Sequence, residues 1–284
     1  MPESEQPAPD QNVRQEWADR AAPWRQWATW WAAQTRAATD LILRAADVRP
    51  GWRVLDVASG GGEPALSLAA AVGPRGHVLA TDLAPEMLCI AAEAAHRAAL
   101  DNLTCQVADA QALPFARASF EAVTCRFGIA LVPNPPLAVR EIVRVLAPGG
   151  RAAFVSWGPR QANPFFTILD DAFAPYGVMD RPEVGGLSPF TFATPGPLAA
   201  ALRAAGCGQV HEATHQITLR WPGPAEQAWA GRRAMSLSCQ RQLALLTPDQ
   251  RDGVIAAVIA AYRRHEVEGR VALPAVVTVA WTTL

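Results

Sequence analysis

The 284-residue chain contains no lysine; all 25 basic residues are arginine. Schiff-base chemistry, a phosphate-loop lysine and the strand lysine of kinases are thereby excluded. Charge of either sign is scarce, at 18% of residues against ~25% in an ordinary domain. The net charge of −1 offers nothing to nucleic acid or to an anionic membrane surface. Cysteine is sparse and scattered. No two of Cys89, Cys105, Cys125, Cys207 and Cys239 are closer than 16 residues, so no short metal-ligand pair exists. These cysteines read as small core residues in a reducing compartment. No uncharged apolar run reaches the ~18 residues of a membrane span. The polar, acidic N-terminus is unlike a signal peptide, which makes the cytoplasm the expected location.

Half the residues are hydrophobic, enough for a large core. Residues 1–12 are polar and proline-rich and read as a disordered tail. Helices are expected over 13–21 and 24–47, with Pro23 opening the second. From residue 52 the pattern changes. Arg53–Val57, His77–Thr81, Leu103–Val107, Phe120–Cys125 and Ala152–Ser156 read as strands, separated by helical stretches near 63–72, 84–99 and 136–147. Such alternation implies a parallel sheet covered by helices on both faces. Pro148-Gly149-Gly150 is expected to stop the last of these helices. Beyond it come a Pro/Gly/Phe-rich insertion over 158–194 with a short helix near 164–174, and a helix near 195–205. A strand near 209–220, a mostly helical stretch over 224–268 and a final strand, Val271–Trp281, follow.

The segment from Val54 to Ala65, VLDVASGGGEPA, is the most informative. An apolar strand ends in glycines, where a backbone turns sharply and a ligand must come close, and a helix starts at once. A plain tight turn would satisfy the same pattern. Gly60-x-Gly62-x-x-Ala65 also matches a dinucleotide fingerprint, with Asp82 placed as the ribose-binding acid at the end of the second strand. Adenosine of either a nicotinamide or a sulfonium cofactor would use that acid. Asp56, just before the loop, suits a cationic, amino-acid-bearing ligand better than a pyrophosphate.

Five further segments complete the pattern: Gln106-Val107-Ala108-Asp109-Ala110, Leu113-Pro114-Phe115, Phe120-Glu121-Ala122-Val123, Arg126-Phe127-Gly128, and the run Glu141 to Gly150. Over about residues 50–157 the sequence resembles class I S-adenosylmethionine-dependent methyltransferases, and is similar above all to the ubiquinone/menaquinone-biosynthesis methyltransferase family. The resemblance implies a Rossmann-like, doubly wound α/β fold whose seven-stranded, mostly parallel sheet has an antiparallel last strand, with a helical N-terminal cap and insertions. It implies S-adenosyl-L-methionine as cofactor. Gly60 and Gly62 would pass under its methionine portion with Asp56 near the ammonium. Asp82, beside Leu83, would accept from the ribose hydroxyls. Asp109 would meet the adenine amino group with Ala110 beside the ring, and Arg126 would line the methyl-transfer site. Ala58 departs from the family, which usually has glycine there, and alanine is expected to forbid a positive φ at that point. Glu121 stands where aspartate is common. The chain then divides into the tail 1–12, a cap 13–50, a cofactor-binding core 51–157, an insertion and helix 158–208, and the rest of the sheet 209–284 with its helical insertion 224–268.

His211-Glu212-Ala213-Thr214-His215 matches the zinc-protease pattern, but that motif needs a helix. Here it lies in an alternating, strand-like stretch, where the histidines would stand ~13 Å apart. No metal site is expected. Trp24, Trp27 and Trp31 share one helical face. They either dock the N-terminal helix on the core or wall an acceptor pocket together with Arg126, Trp157 and Phe165. The expected reaction is methyl transfer to a small, mostly apolar or aromatic acceptor, driven chiefly by orientation; no general base declares itself. The alternatives are a protein of the same scaffold catalysing a non-methylating reaction, and an NAD-dependent oxidoreductase. A homodimer is compatible with the sequence.

Overall fold

Short runs of Val, Leu and Ala that are apolar on both faces can be stable only as strands covered on two sides. The computed structural model, which describes residues 9–178 and 187–284, places them so. The strands are β1 (Arg53–Val57), β2 (His77–Asp82), β3 (Leu103–Val107), β4 (Phe120–Arg126), β5 (Leu146–Trp157), β6 (Gln209–Arg220), β7 (Glu266–Val267) and β8 (Arg270–Thr283). Their order is β3-β2-β1-β4-β5-β8-β6, with the short β7 paired to β8. The pairs from β3 to β5 are parallel, whereas β8 runs antiparallel between β5 and β6. This is the Rossmann-like sheet expected. The strand order reverses between β1 and β4, which places the ligand crevice beyond the carboxyl ends of those two strands.

The helices are α1 (Pro9–Gln34), α2 (Arg36–Ala46), α3 (Ala65–Val72), α4 (Pro85–Arg97), α5 (Pro135–Val145), α6 (Pro164–Phe173), α7 (Pro197–Ala204), α8 (Ala225–Met235), α9 (Leu237–Ala244) and α10 (Pro248–Arg263). On one face of the sheet, Ala38 and Ile42 of α2 join α6, α8 and α10 in a core built on Val155, Val277 and Tyr262. On the other, α5 and α7 pack on Leu55, Val123 and Phe154.

Three sequence expectations need correction. Residues 9–12 are helical rather than part of a disordered tail, while residues 1–8 lie outside the described residues. Pro23 does not open a second helix; α1 runs through it. An interior proline costs ~3 kcal/mol, but Trp17 and Trp24 meet across it with ring centroids 6.0 Å apart, and that packing favours one continuous helix. The break comes at Thr35, whose φ/ψ of −95°/13° departs from the helix and whose hydroxyl donates to the Trp31 carbonyl. Thirdly, α5 stops at Val145, before Pro148. Leu146 already pairs with Phe120, and the register shifts before Arg151 pairs with Ala122, so Pro148-Gly149-Gly150 forms an irregularity within β5. A Cβ on Gly150 would sit 2.8 Å from the Glu121 carbonyl oxygen, so only glycine fits there.

Candidate functional site

The loop after β1 is closed by its own backbone. Ser59 N–H donates to Thr81 O and Ser59 Oγ–H to Asp56 O. Asp82, at the tip of β2, accepts from Gly60 N–H at 2.9 Å and from Ala84 N–H at 3.0 Å. Burial raises its carboxyl above the usual carboxylate range, while these backbone donors oppose the shift.

Ala58 adopts φ +55°, contrary to the expectation that alanine would forbid it. The left-handed region costs a non-glycine residue about 1–2 kcal/mol, a cost the loop's hydrogen bonds offset. Room for the Ala58 methyl comes from Gly128: a Cβ there would lie 2.4 Å from Ala58 Cβ. Gly128→Ala is therefore expected to destabilise the protein by about 1–3 kcal/mol through overpacking, lowering Tm by several degrees. Restoring space in the Ala58→Gly/Gly128→Ala double variant should recover most of the loss. A thermal melt in which the double variant is no better than the single would refute this steric account.

Asp56 is fully buried, and it lies beneath the cavity wall rather than on it. Its Oδ1 accepts from Thr124 Oγ1 at 2.6 Å, and its Oδ2 has no partner. Burial pushes the carboxyl up to about 7, against the hydrogen bond from Thr124. The folded state thus holds this proton from the unfolded carboxyl's pKa of ~4 up to about 7. The associated stability is complete below pH ~4, declines as pH rises to about 7, and is flat above. Urea unfolding should show that decline between pH ~4 and about 7, and Asp56→Asn should flatten it. An equal slope in both proteins would exclude Asp56 as its source.

Among the loop's own residues the carboxylate that reaches the cavity is Glu63, whose role the sequence did not reveal. Its Oε1 accepts from Ser67, and its Oε2 is buried without a partner. Arg126, buried at the end of β4, donates from Nη1 to Thr35 Oγ1 (2.7 Å) and Thr39 Oγ1 (3.0 Å), and from Nη2 to Glu63 O (2.9 Å). One guanidinium thus ties the α1–α2 break to the glycine loop, while its Nε remains unpartnered.

Ala58, Gly60, Asp82, Leu83, Asp109, Ala110 and Arg126 line one cavity of about 420 Å³. Gly62 does not. A Cβ on it would come within 3.3 Å of Ala91 Cα, so it serves the approach of α4. Asp109 Oδ1 accepts from Gln111 N–H. The loop carrying both is held from outside by an ion pair that explains two positions of the Glu141–Gly150 run. Glu141 accepts from Leu113 N–H, and Arg144 donates to Glu141 and to the carbonyls of Leu113 and Phe115. The hydrogen bond from Arg144 holds the Glu141 carboxyl below its usual range.

The rest of the cavity is aromatic. Trp17, Trp24 and Trp31 of α1 line it, with Phe127, Trp157, Phe165 and Phe166. Trp157 stacks between Phe127 (4.4 Å) and Phe165 (6.0 Å), and Trp31 tilts against both Trp157 and Phe165. Trp27 is not on this wall. It packs on Trp30 and over Gly231 of α8, where a Cβ would meet its ring at 2.9 Å. The lining stripe is 17, 24 and 31, a seven-residue spacing that returns to within 20° of the same helix face. His211 and His215 lie on β6, and the ring of His211 stacks on Trp281. No metal-binding group of His, Cys, Asp and Glu occurs among the described residues, and none of the described helices is long and apolar enough to cross a membrane.

The Rossmann-like sheet with its glycine loop at the switch point is the frame of a nucleotide-cofactor site, and the chain's relatives place it in one class with such a frame, the S-adenosylmethionine-dependent methyltransferases. Within that class the chain belongs to the ubiE/COQ5 methyltransferase family, which matches residues 32–188. It is 31% identical to nocamycin O-methyltransferase of Saccharothrix syringae over 80% of this chain and 84% of that one. It is 44% identical to the ubiquinone/menaquinone biosynthesis C-methyltransferase UbiE of Rhizobium leguminosarum bv. trifolii over 41% of this chain and 46% of that one. The chain thus spans about half the length of the UbiE proteins it matches. Among solved structures, YcgJ from Bacillus subtilis has the same fold, with a TM-score of 0.57 and 20% identity over 87% of this chain and 98% of that one.

Proposed function

We propose that the protein transfers a methyl group from S-adenosylmethionine to a small, mostly apolar or aromatic acceptor. The observation that carries this reading is the continuity of the cavity: the glycine loop, Asp82 and Asp109 open into the same space as Trp31, Trp157 and Phe165. The residues fit the cofactor. Two buried polar atoms without partners on residues of the wall, Glu63 Oε2 and Arg126 Nε, suit a zwitterionic amino-acid group. Glu63, which is on the wall, would face the ammonium, with Asp56 behind it. Asp82 would accept from the ribose hydroxyls with its remaining lone pairs, Asp109 would accept from the adenine amino group, and Leu83 and Ala110 would flank the ring.

The bound cofactor supplies a methyl group already activated on a sulfonium. The protein's work is then orientation and exclusion of water, effects that can be worth ~7–11 kcal/mol in favourable cases. Trp31, Trp157 and Phe165 would hold the acceptor's plane, and α1 with α6 would close the chamber as a lid. The five free cysteines support work in the reducing cytoplasm. Incubation with methyl-labelled S-adenosylmethionine and a panel of small planar aromatics tests the reading: label should pass to an acceptor as S-adenosylhomocysteine forms. Acceptor turnover without S-adenosylhomocysteine would favour the non-methylating alternative. Exhaustive chelation should leave transfer unchanged; loss restored by zinc or magnesium would contradict the metal-free mechanism.

A further inference from the structure

We infer that Thr35 is a positioning residue for methyl transfer: through it the buried Arg126 guanidinium fixes α1, and with it Trp31 of the acceptor wall, to the glycine loop of the cofactor site. The inference rests on the methyl-transfer reading above and adds to it how the two halves of the cavity keep one spacing.

Thr35 lies off the cavity wall, in the break between α1 and α2, and both it and Thr39 are buried. Its hydroxyl works in two directions. It donates to the Trp31 carbonyl at 2.7 Å, which also accepts from Thr35 N–H, and it accepts from Arg126 Nη1 at 2.7 Å. The other arm of the same guanidinium, Nη2, donates to the Glu63 carbonyl at 2.9 Å. A guanidinium is a planar fork of fixed geometry. One rigid group therefore sets the distance between the end of α1 and the loop that begins the cofactor site. Branching at Cβ restricts the Thr35 side chain to few rotamers, which keeps the hydroxyl on that line.

The apolar contacts of α1 fix it less sharply. Ala28 rests on the loop, where a Cβ on Gly61 would stand 3.5 Å from its methyl. Trp17 and Trp24 pack on Met87 and Ile90 of α4, and Trp27 packs over Gly231. Such contacts are non-directional, so they oppose lifting of the helix more than sliding or rotation. The pairs Arg25–Glu93 and Arg241–Glu16 involve exposed arginines, and exposed pairs contribute little. The bonds of Arg126 are buried, charge-assisted and directional. A slide of α1 by one residue would carry Trp31 about 1.5 Å along the wall, and a misplacement of about 1 Å can cost 10²-fold in rate.

The test is fluorine NMR of the full chain labelled with 5-fluorotryptophan and saturated with S-adenosylhomocysteine. Trp31→Phe identifies the Trp31 line, and calorimetry gives the affinity. The unaltered protein should show one narrow Trp31 line. Thr35→Val should split that line, or broaden it at least about two-fold through microsecond-to-millisecond exchange. Its affinity for S-adenosylhomocysteine should stay within about three-fold, because Arg126 keeps Thr39 and the Glu63 carbonyl. Thr35→Ser, which retains the hydroxyl, should restore the narrow line. Thr39→Val removes an Arg126 bond of similar burial that ends on α2 instead of the α1 break, and should leave the Trp31 line narrow; this separates positioning from general loosening. Thr35→Ala is read in the same way should the valine protein not fold. A broad Trp31 line in the unaltered protein, an unchanged line without the Thr35 hydroxyl, or equal broadening in Thr39→Val overturns the inference. Failure of the unaltered protein to bind S-adenosylhomocysteine would strike the methyl-transfer reading itself, and the inference with it.

Discussion

Replacing Asp82 with alanine is expected to weaken S-adenosylhomocysteine binding about 100-fold while the protein stays folded. Two losses combine. The carboxylate clamps Gly60 and Ala84 through their N–H groups, so the glycine loop loses its outer anchor. In the proposed pose it also accepts the two ribose hydroxyls. Hydrogen bonds to a charged group contribute ~1.5–3 kcal/mol each, less what water recovers; a net loss of about 3 kcal/mol corresponds to roughly two powers of ten. Calorimetry gives the affinity, and Asp82→Asn separates the two roles, because the amide oxygen can keep one backbone bond without the charge. An Asp82→Ala protein that melts normally and binds with unchanged affinity would remove Asp82 from the cofactor site.

Trp31→Ala should lower kcat/KM by at least 100-fold with little change in cofactor affinity. The indole touches both Trp157 and Phe165, so its removal opens the acceptor wall to water and lets the acceptor shift. A misplacement of about 1 Å can by itself cost 10²-fold in rate. The stability loss should fall below the ~3–5 kcal/mol of a wholly buried tryptophan, because Trp31 is only half-buried. The broader experiment, removing the α1 wall, has a defined limit. Ala38, Ile42 and Ala46 of α2 are wholly buried against the sheet, so a truncation must end before Thr35 to spare the core. If a folded truncate bound cofactor and turned over acceptor at the normal rate, α1 would be an anchoring helix and no lid.

The parallel core was legible because its signals are local. Val54-Leu55 and Ala122-Val123 are apolar on both faces, and glycines mark the turn beyond β1. The outer strands were legible too: β6 begins and ends where alternation does, and β8 exceeds its expected range only at its ends. What stayed hidden depends on partners distant in sequence. Arg126 is 91 residues from Thr35 and 63 from Glu63, and no spacing rule joins them. The methyl of Ala58 depends on space left by Gly128, just beyond the neighbouring strand β4. Pro23 reads as a helix start by its own preference, and the packing of Trp17 on Trp24 overrides it. The exchange of Trp27 for Trp17 on the wall was legible in principle. A stripe at 17, 24 and 31 holds one face over four turns, whereas 24, 27 and 31 spreads across a wider arc.

That stripe also gives the protein an optical property. Trp17, Trp24, Trp31 and Trp157 form a chain with successive centroid separations of 6.0, 5.6 and 6.5 Å and interplanar angles of 61°, 77° and 56°. Indoles this close and this obliquely turned share their excitation, and a skewed row of coupled chromophores rotates light strongly. The near-ultraviolet circular dichroism, which reports fixed aromatic packing, should therefore carry a strong contribution from this row. Since every member borders the cavity, an absorbing molecule entering it would drain the emission of all four rings together, so the wall doubles as a built-in antenna for whatever the chamber holds.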